Sequence, residues 1–115
     1  MTSYDEVPYP TAVFPQATPD RLATMARLHG LSPPDIATAR VLEIGGGDAL
    51  NLLAIAAAYP NVTGLSFDLA GTAVERGLRW ARLASIDNVA IEQLDLLDAA
   101  EGAITGEYDY IVAHG

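Results

Sequence analysis

The residues most able to do chemistry stand at the ends of apolar runs. Glu43 precedes three consecutive glycines, Gly45, Gly46 and Gly47, which are followed by Asp48; further on, Asp68 and Asp95 each close an apolar run of their own. Glycines after a strand let the backbone turn sharply and let a ligand approach the main chain. A helix that opens on such a turn offers unpaired amides and the positive end of its dipole. A carboxylate at a strand end can accept from neighbouring sugar hydroxyls. The two histidines, His29 and His114, form no ligand cluster, and there is no cysteine. Disulfides, thiolate metal sites and a cysteine nucleophile are therefore excluded.

The elements that must position these residues follow from the patterning. Val41 to Ile44 is a short, nearly continuous apolar run, as expected of a buried parallel strand, and Gly45-Gly46-Gly47 turns the chain into a helix over Ala49 to Tyr59. Val62 to Phe67 reads as a second strand ending at Asp68, Gly71 to Ser85 as a second helix, Val89 to Leu94 as a third strand ending at Asp95, and Tyr110 to Ala113 as a fourth. Val74, Leu78 and Ala81, with Trp80 beside them, make the apolar side of the second helix, while Arg76, Arg79 and Arg82 read as a solvated face. Alternation of strands and crossover helices predicts an α/β fold, a doubly wound, mostly parallel Rossmann-like sheet whose ligands bind at the carboxyl ends of its strands. The three acids then converge on one edge of that sheet.

Ahead of this core, residues 1–17 carry Pro8, Pro10 and Pro15 among Tyr4, Tyr9 and Phe14, which predicts an irregular arm: a strap over the domain or a lid over a ligand. Thr18-Pro19-Asp20 starts a helix that His29 and Gly30 close, and Ser32-Pro33-Pro34 is a turn. The expected organisation is a single domain, with an arm and capping helix over 1–39 and a ligand-binding core over 40–115.

Half of the 115 residues are apolar and 18% are charged, with a net charge of −9. All six basic residues are arginines, and they are scattered, so a nucleic-acid partner is not expected. No signal peptide and no membrane-spanning run is present, and a cytoplasmic location is the expectation.

Two cofactor classes use a glycine turn of this kind. A dinucleotide fingerprint would place its last small residue at Leu50, where leucine crowds helix against strand, and Glu43 adds negative charge close to a pyrophosphate. S-adenosylmethionine carries an ammonium, a sulfonium and no phosphate, so an acid ahead of the turn suits it. The run Glu43-Ile44-Gly45-Gly46-Gly47-Asp48-Ala49 resembles motif I of the class I methyltransferases, with Ala49 in place of the third glycine. Asp68 resembles the motif II acid; Ser66 is the alternative if the register slips, and a helix N-cap is the purely structural reading. Asp95 resembles the acid that meets the adenine amino group, with Asp98 as its rival and a simple turn acid as the structural reading.

A closer similarity runs over nearly the whole chain: Tyr4 to Pro10, Thr18 to Leu22, Ser32-Pro33-Pro34, Val41 to Asn51 and Asp109 to Gly115 resemble bacterial class I methyltransferases that carry a methyltransferase regulatory domain, in which a cysteine is common where Gly46 stands. The resemblance implies a fold with strand order 3-2-1-4, continuing in the family beyond the fourth strand but stopping there in this chain. It also implies S-adenosyl-L-methionine as cofactor, with contacts from Glu43, Gly45, Gly46, Gly47, Asp48, Asn51, Asp68, Leu69, Asp95 and Leu96. The methyl acceptor is left open between a small molecule and a protein, no metal is implied, and His114 is the sole candidate base. The fourth strand would be an apolar edge open to association. The rival readings are a non-catalytic nucleoside-binding module and, less favoured, a nicotinamide-dependent oxidoreductase.

Overall fold

Apolar side chains on both sides of the backbone place strand β1 (Arg40–Ile44) at the centre of the sheet, where both faces must be filled. The computed structural model describes Gly30 and residues 35–113. The expected arm, the helix from Thr18, His29, the Ser32-Pro33-Pro34 turn and His114 lie outside the described residues. After a single 3-10 turn at Ile36–Thr38, β1 leads to helix α1 (Leu50–Ala58), strand β2 (Thr63–Asp68), helix α2 (Gly71–Leu83) and strand β3 (Val89–Gln93). A short helix α3 (Leu96–Asp98) and a wide turn through Ala99–Ala103 lead to strand β4 (Tyr110–Ala113). All pairings are parallel, as the alternation of strands and helices predicts, and the order is β3-β2-β1-β4, as the family resemblance implies.

Side chains alternate across a strand, so the register decides which residues meet the helices. Val41 pairs with Gly64 and Tyr110, and this face carries the core. Ala39, Val41, Leu52, Ile55, Val62 and Tyr110 form one buried cluster, with Ala49, Leu53, Val74, Ala81 and Ile91 forming a second. Helix α1 therefore feeds both clusters. On the other face Leu42 is flanked by Leu65 and Ile111, with Ala90 beyond Leu65. Ile111 is 61% exposed there, whereas Tyr110, in the first cluster, and Val112 on the same edge strand are buried.

The two helices depart from the sequence reading in instructive ways. Helix α1 begins one residue late because Ala49 is a left-handed cap at φ 63°, a conformation that costs an L-residue other than glycine roughly 1 kcal/mol. Helix α2 stops at Leu83 because Ser85 also turns left-handed at φ 55°. The Ser85 amide donates to the Arg82 carbonyl (3.2 Å) and the Ile86 amide to the Ala81 carbonyl (2.9 Å), the two bonds of a Schellman stop, and Ile86 packs on the second cluster. The buried stripe of α2 is Val74, Gly77 and Ala81. Leu78, expected on the apolar side, is 43% exposed: it lies about 100° round the helix from Gly77. Trp80 is half-buried against the second cluster.

Gly77 explains why that stripe is small. A Cβ at this position would strike the backbone carbonyl of Asp48, so α2 lies directly against the glycine turn. Two stability experiments follow. Gly-to-Ala in a helix interior ordinarily stabilises by about 1 kcal/mol; Gly77→Ala is expected instead to lower stability by about 2 kcal/mol, in the range of overpacked cores, in urea unfolding. Leu52, fully buried at 0% exposure, is expected to lose about 3 kcal/mol on replacement by alanine, whereas Leu83→Ala, at 79% exposure, stays within about 0.5 kcal/mol.

Candidate cofactor site

The glycine turn is tied to the end of β2 by its own backbone. The amides of Gly45 and Gly46 both donate to the Phe67 carbonyl, at 3.0 and 3.2 Å. Gly45 at φ 68° and Gly47 at φ 61° adopt the left-handed conformation that glycine takes without strain. The Ala49 amide then donates back to the Gly46 carbonyl at 2.9 Å, closing the turn into α1.

Asp68 ends β2 and joins three segments. Its Oδ2 accepts from the Gly47 amide (2.9 Å) and its Oδ1 from the Ala70 amide (2.9 Å), while its carbonyl accepts from the Leu94 amide (3.0 Å). The purely structural reading of Asp68 as a helix N-cap is corrected: Ala70 is the N-cap of α2, and Asp68 instead holds the amide of that residue from two positions before it. A carboxylate offers about four lone-pair sites, so two amides leave capacity for hydroxyl donors. Ser66, the alternative if the register had slipped, is fully buried inside β2 and does not reach the strand end.

Asp95 stands two residues beyond β3 as the N-cap of α3, where its Oδ1 accepts from the Leu97 amide at 3.0 Å. Asp98, its rival, is exposed within α3 itself. The strand register sets Ile44 beside Phe67, and Asp68 beside Gln93, so the three strand ends lie side by side. Gln93 Nε2 donates to the Leu69 carbonyl at 3.0 Å and fixes the chain after Asp68. Leu69 and Leu96 are exposed at this rim, at 38% and 57%. Together the edge presents glycine backbone, two strand-end carboxylates and apolar side chains, a surface that suits a ligand with hydroxyls and a flat apolar ring.

Glu43 and Asp48 are placed differently from a surface contact. Glu43 is 1% exposed, beneath the turn; its Oε1 accepts from Ser66 Oγ (2.9 Å) and its Oε2 from Asn51 Nδ2 (3.2 Å). Asn51 is itself buried on α1. Asp48 is buried between the turn and α2, with Oδ1 accepting from the Leu50 amide (3.2 Å) and Oδ2 paired with Arg76 Nε (3.1 Å). Arg76 therefore leaves the solvated face expected of it: it reaches Asp48 and lies 6.0 Å from the Trp80 ring, while Arg79 and Arg82 remain exposed. Sequence reasoning missed Gln93, named Ser66 only as an alternative to Asp68, and named Arg76 only as part of a solvated face. The signal available for α2 was Gly77, a glycine in mid-helix, which marks a close approach of backbone. Among the described residues there is no group of three potential metal-binding side chains, and no helix is long and apolar enough to cross a membrane.

Comparison with known proteins bears on this edge. No family model matches the chain. An uncharacterized protein of Rickettsia prowazekii (strain Madrid E) is 44% identical over 113 residues, which is 98% of this chain and 44% of that protein. The structure of PKMT2 from Rickettsia typhi in complex with AdoHcy superposes with a TM-score of 0.87 at 42% identity, over 94% of this chain and 20% of that one. A SAM-dependent methyltransferase from Thiobacillus denitrificans, in complex with S-adenosyl-L-homocysteine, gives a TM-score of 0.58 at 26% identity, over 85% of this chain and 37% of that one. The chain thus spans less than half the length of each of these relatives. By its strand order, its glycine turn after β1 and these similarities, the chain has the Rossmann-like fold seen in S-adenosylmethionine-dependent methyltransferases.

Proposed function

We propose that this chain is the cofactor-binding part of a methyltransferase and holds S-adenosylmethionine along the carboxyl ends of β1, β2 and β3. The observation that carries the proposal is the alignment of Asp68 and Asp95 beside a glycine turn at three adjacent strand ends, in a fold whose relatives hold AdoHcy. In this reading Asp68 accepts from the ribose hydroxyls, and Asp95 with the Leu96 backbone meets the adenine edge. Leu69 packs on the ring, and the main chain of Gly45, Gly46 and Gly47 lines the aminoacid end. Glu43 acts from below the turn through its negative charge, and Asn51 and Asp48 hold the turn in shape.

The chemistry of the bound cofactor is transfer of its sulfonium methyl to a nucleophile attacking in line. The chain's own part is to fix the cofactor so that the methyl stands at one defined place on the sheet edge. The acceptor side, and the regulatory domain implied by the sequence resemblance, belong in this reading to the part of the relatives that this chain does not span. His114, the sole candidate base in the sequence, lies outside the described residues. The β4 edge, with Ile111 exposed, is the surface through which further chain or a partner would extend the sheet.

Calorimetric titration of the purified chain with S-adenosylmethionine and S-adenosylhomocysteine tests the proposal, with NAD as the control. Saturable binding of both sulfur nucleosides and none of NAD is expected. Asp68→Asn, which keeps one acceptor oxygen but loses the charge, should weaken both by about tenfold or more, the scale of hydrogen bonds to a charged group. A folded chain that binds neither nucleoside, or prefers NAD, would falsify the assignment.

A further inference from the structure

Beneath the glycine turn, three buried polar side chains and one missing side chain occupy the same space. Glu43, Asn51 and Ser66 are 1%, 4% and 0% exposed, and the carboxylate of Glu43 accepts from both of the others. Gly46 stands directly over them with no side chain. A Cβ built on Gly46 would collide with Ser66 Oγ and with Glu43 Oε1, and would approach the Glu43 carboxyl carbon at 2.9 Å. Neither obstacle swings aside while Ser66 is in place. The Ser66 hydroxyl sits one bond from a Cβ fixed in the sheet, and it also holds Glu43 Oε1, the carboxylate oxygen that the added Cβ would strike, so the Glu43 obstacle is released only with Ser66. The backbone at Gly46 is also held from the other side, by its amide on the Phe67 carbonyl.

We infer that Ser66 is a positioning residue for the cofactor site and that residues 46 and 66 act as one unit. The Ser66 hydroxyl fills the volume that a side chain at 46 would otherwise take. It also fixes the Glu43 carboxylate directly under the turn, where its charge faces the aminoacid end of the ligand. A side chain is admitted at 46 only if the one at 66 is given up. Ser66 touches no ligand in this arrangement; it acts through Glu43 and through the height of the turn. The inference rests on the cofactor reading proposed above for its functional consequence, but the steric coupling stands on the geometry of the chain alone.

A double-mutant cycle on the full chain tests it, with S-adenosylhomocysteine binding and the thermal midpoint read for every member. Gly46→Ala in the natural background is expected to weaken binding by about tenfold, within the range of couplings between residues in direct contact. In the Ser66→Gly background the same Gly46→Ala change should alter binding by less than about threefold, leaving a coupling that independent sites do not show. Ser66→Ala, which removes the hydroxyl, should lower the thermal midpoint, because Glu43 Oε1 loses a donor, and should also weaken binding at a temperature where the chain is still folded, a loss that a purely space-filling serine would not give. Equal effects of Gly46→Ala in the two backgrounds overturn the inference, as does a Ser66→Ala chain that binds like the natural one. If Gly46→Ala does not fold, Ser66→Gly must restore folding to it; failure to do so is also decisive against the coupling. If the natural chain binds no nucleoside, the cofactor assignment fails, and the midpoints of the cycle still decide the steric unit.

Discussion

A carboxylate buried at the end of the central strand is the constraint around which this edge of the molecule is arranged. Glu43 is almost wholly removed from water, and an ionised group in that position is tolerated only if its oxygens are supplied with donors. Those donors come from the next helix and the next strand, Asn51 on α1 and Ser66 on β2. Supplying them fixes how α1 leaves the turn and which residues of β2 face inward. The turn above must then be free of side chains where it passes over the carboxylate, which is the position of Gly46. One buried charge thereby sets a helix start, a strand face and a loop composition.

The acids at the strand ends carry a second duty that the sequence does not separate from the first. Asp68 and Asp95 each accept backbone amides from the segment that follows them, and Asp68 also reaches back to Gly47. These bonds fix the carboxylates before any ligand arrives, so little side-chain freedom is left to be lost on binding. The structural reading and the functional reading of these residues are compatible, because each oxygen can accept more than one donor.

Much of the architecture was legible from the chain alone. The apolar run from Val41 to Ile44, the glycines after it and the alternation that follows gave four parallel strands, because burial on both faces and the crossover rule favour a parallel sheet, while their order was legible only through the family resemblance. What was not legible depended on distances between segments. Asp48 reads in sequence as part of a ligand-binding motif, yet its side chain is turned to Arg76, and Arg76 in turn reads as one of three evenly spaced solvated arginines. Leu78 fits a generic apolar stripe, but the stripe in α2 is narrowed by the turn pressed against Gly77. Ala49 looks like one more helical alanine and is a left-handed cap instead. For Asp48, Arg76 and Leu78 a segment from elsewhere in the chain overrode the local pattern.

The position of β4 beside β1 has a consequence for how the sheet assembles. The hydrogen bond from the Arg40 amide to the Asp109 carboxylate spans 69 residues of chain, against 23 for the bond between Glu43 and Ser66 that joins β1 to β2. Loop-closure entropy grows only with the logarithm of length, so the longer closure is worse by just about 1 kcal/mol. Holding β4 is therefore nearly as favourable as holding β2, and the difference falls on the search: pairings remote in sequence slow folding far more than they weaken the folded state. The three strands that carry the glycine turn, Asp68 and the approach to Asp95 are joined by the shorter crossovers, so their pairing closes smaller loops than the pairing of β4 with β1.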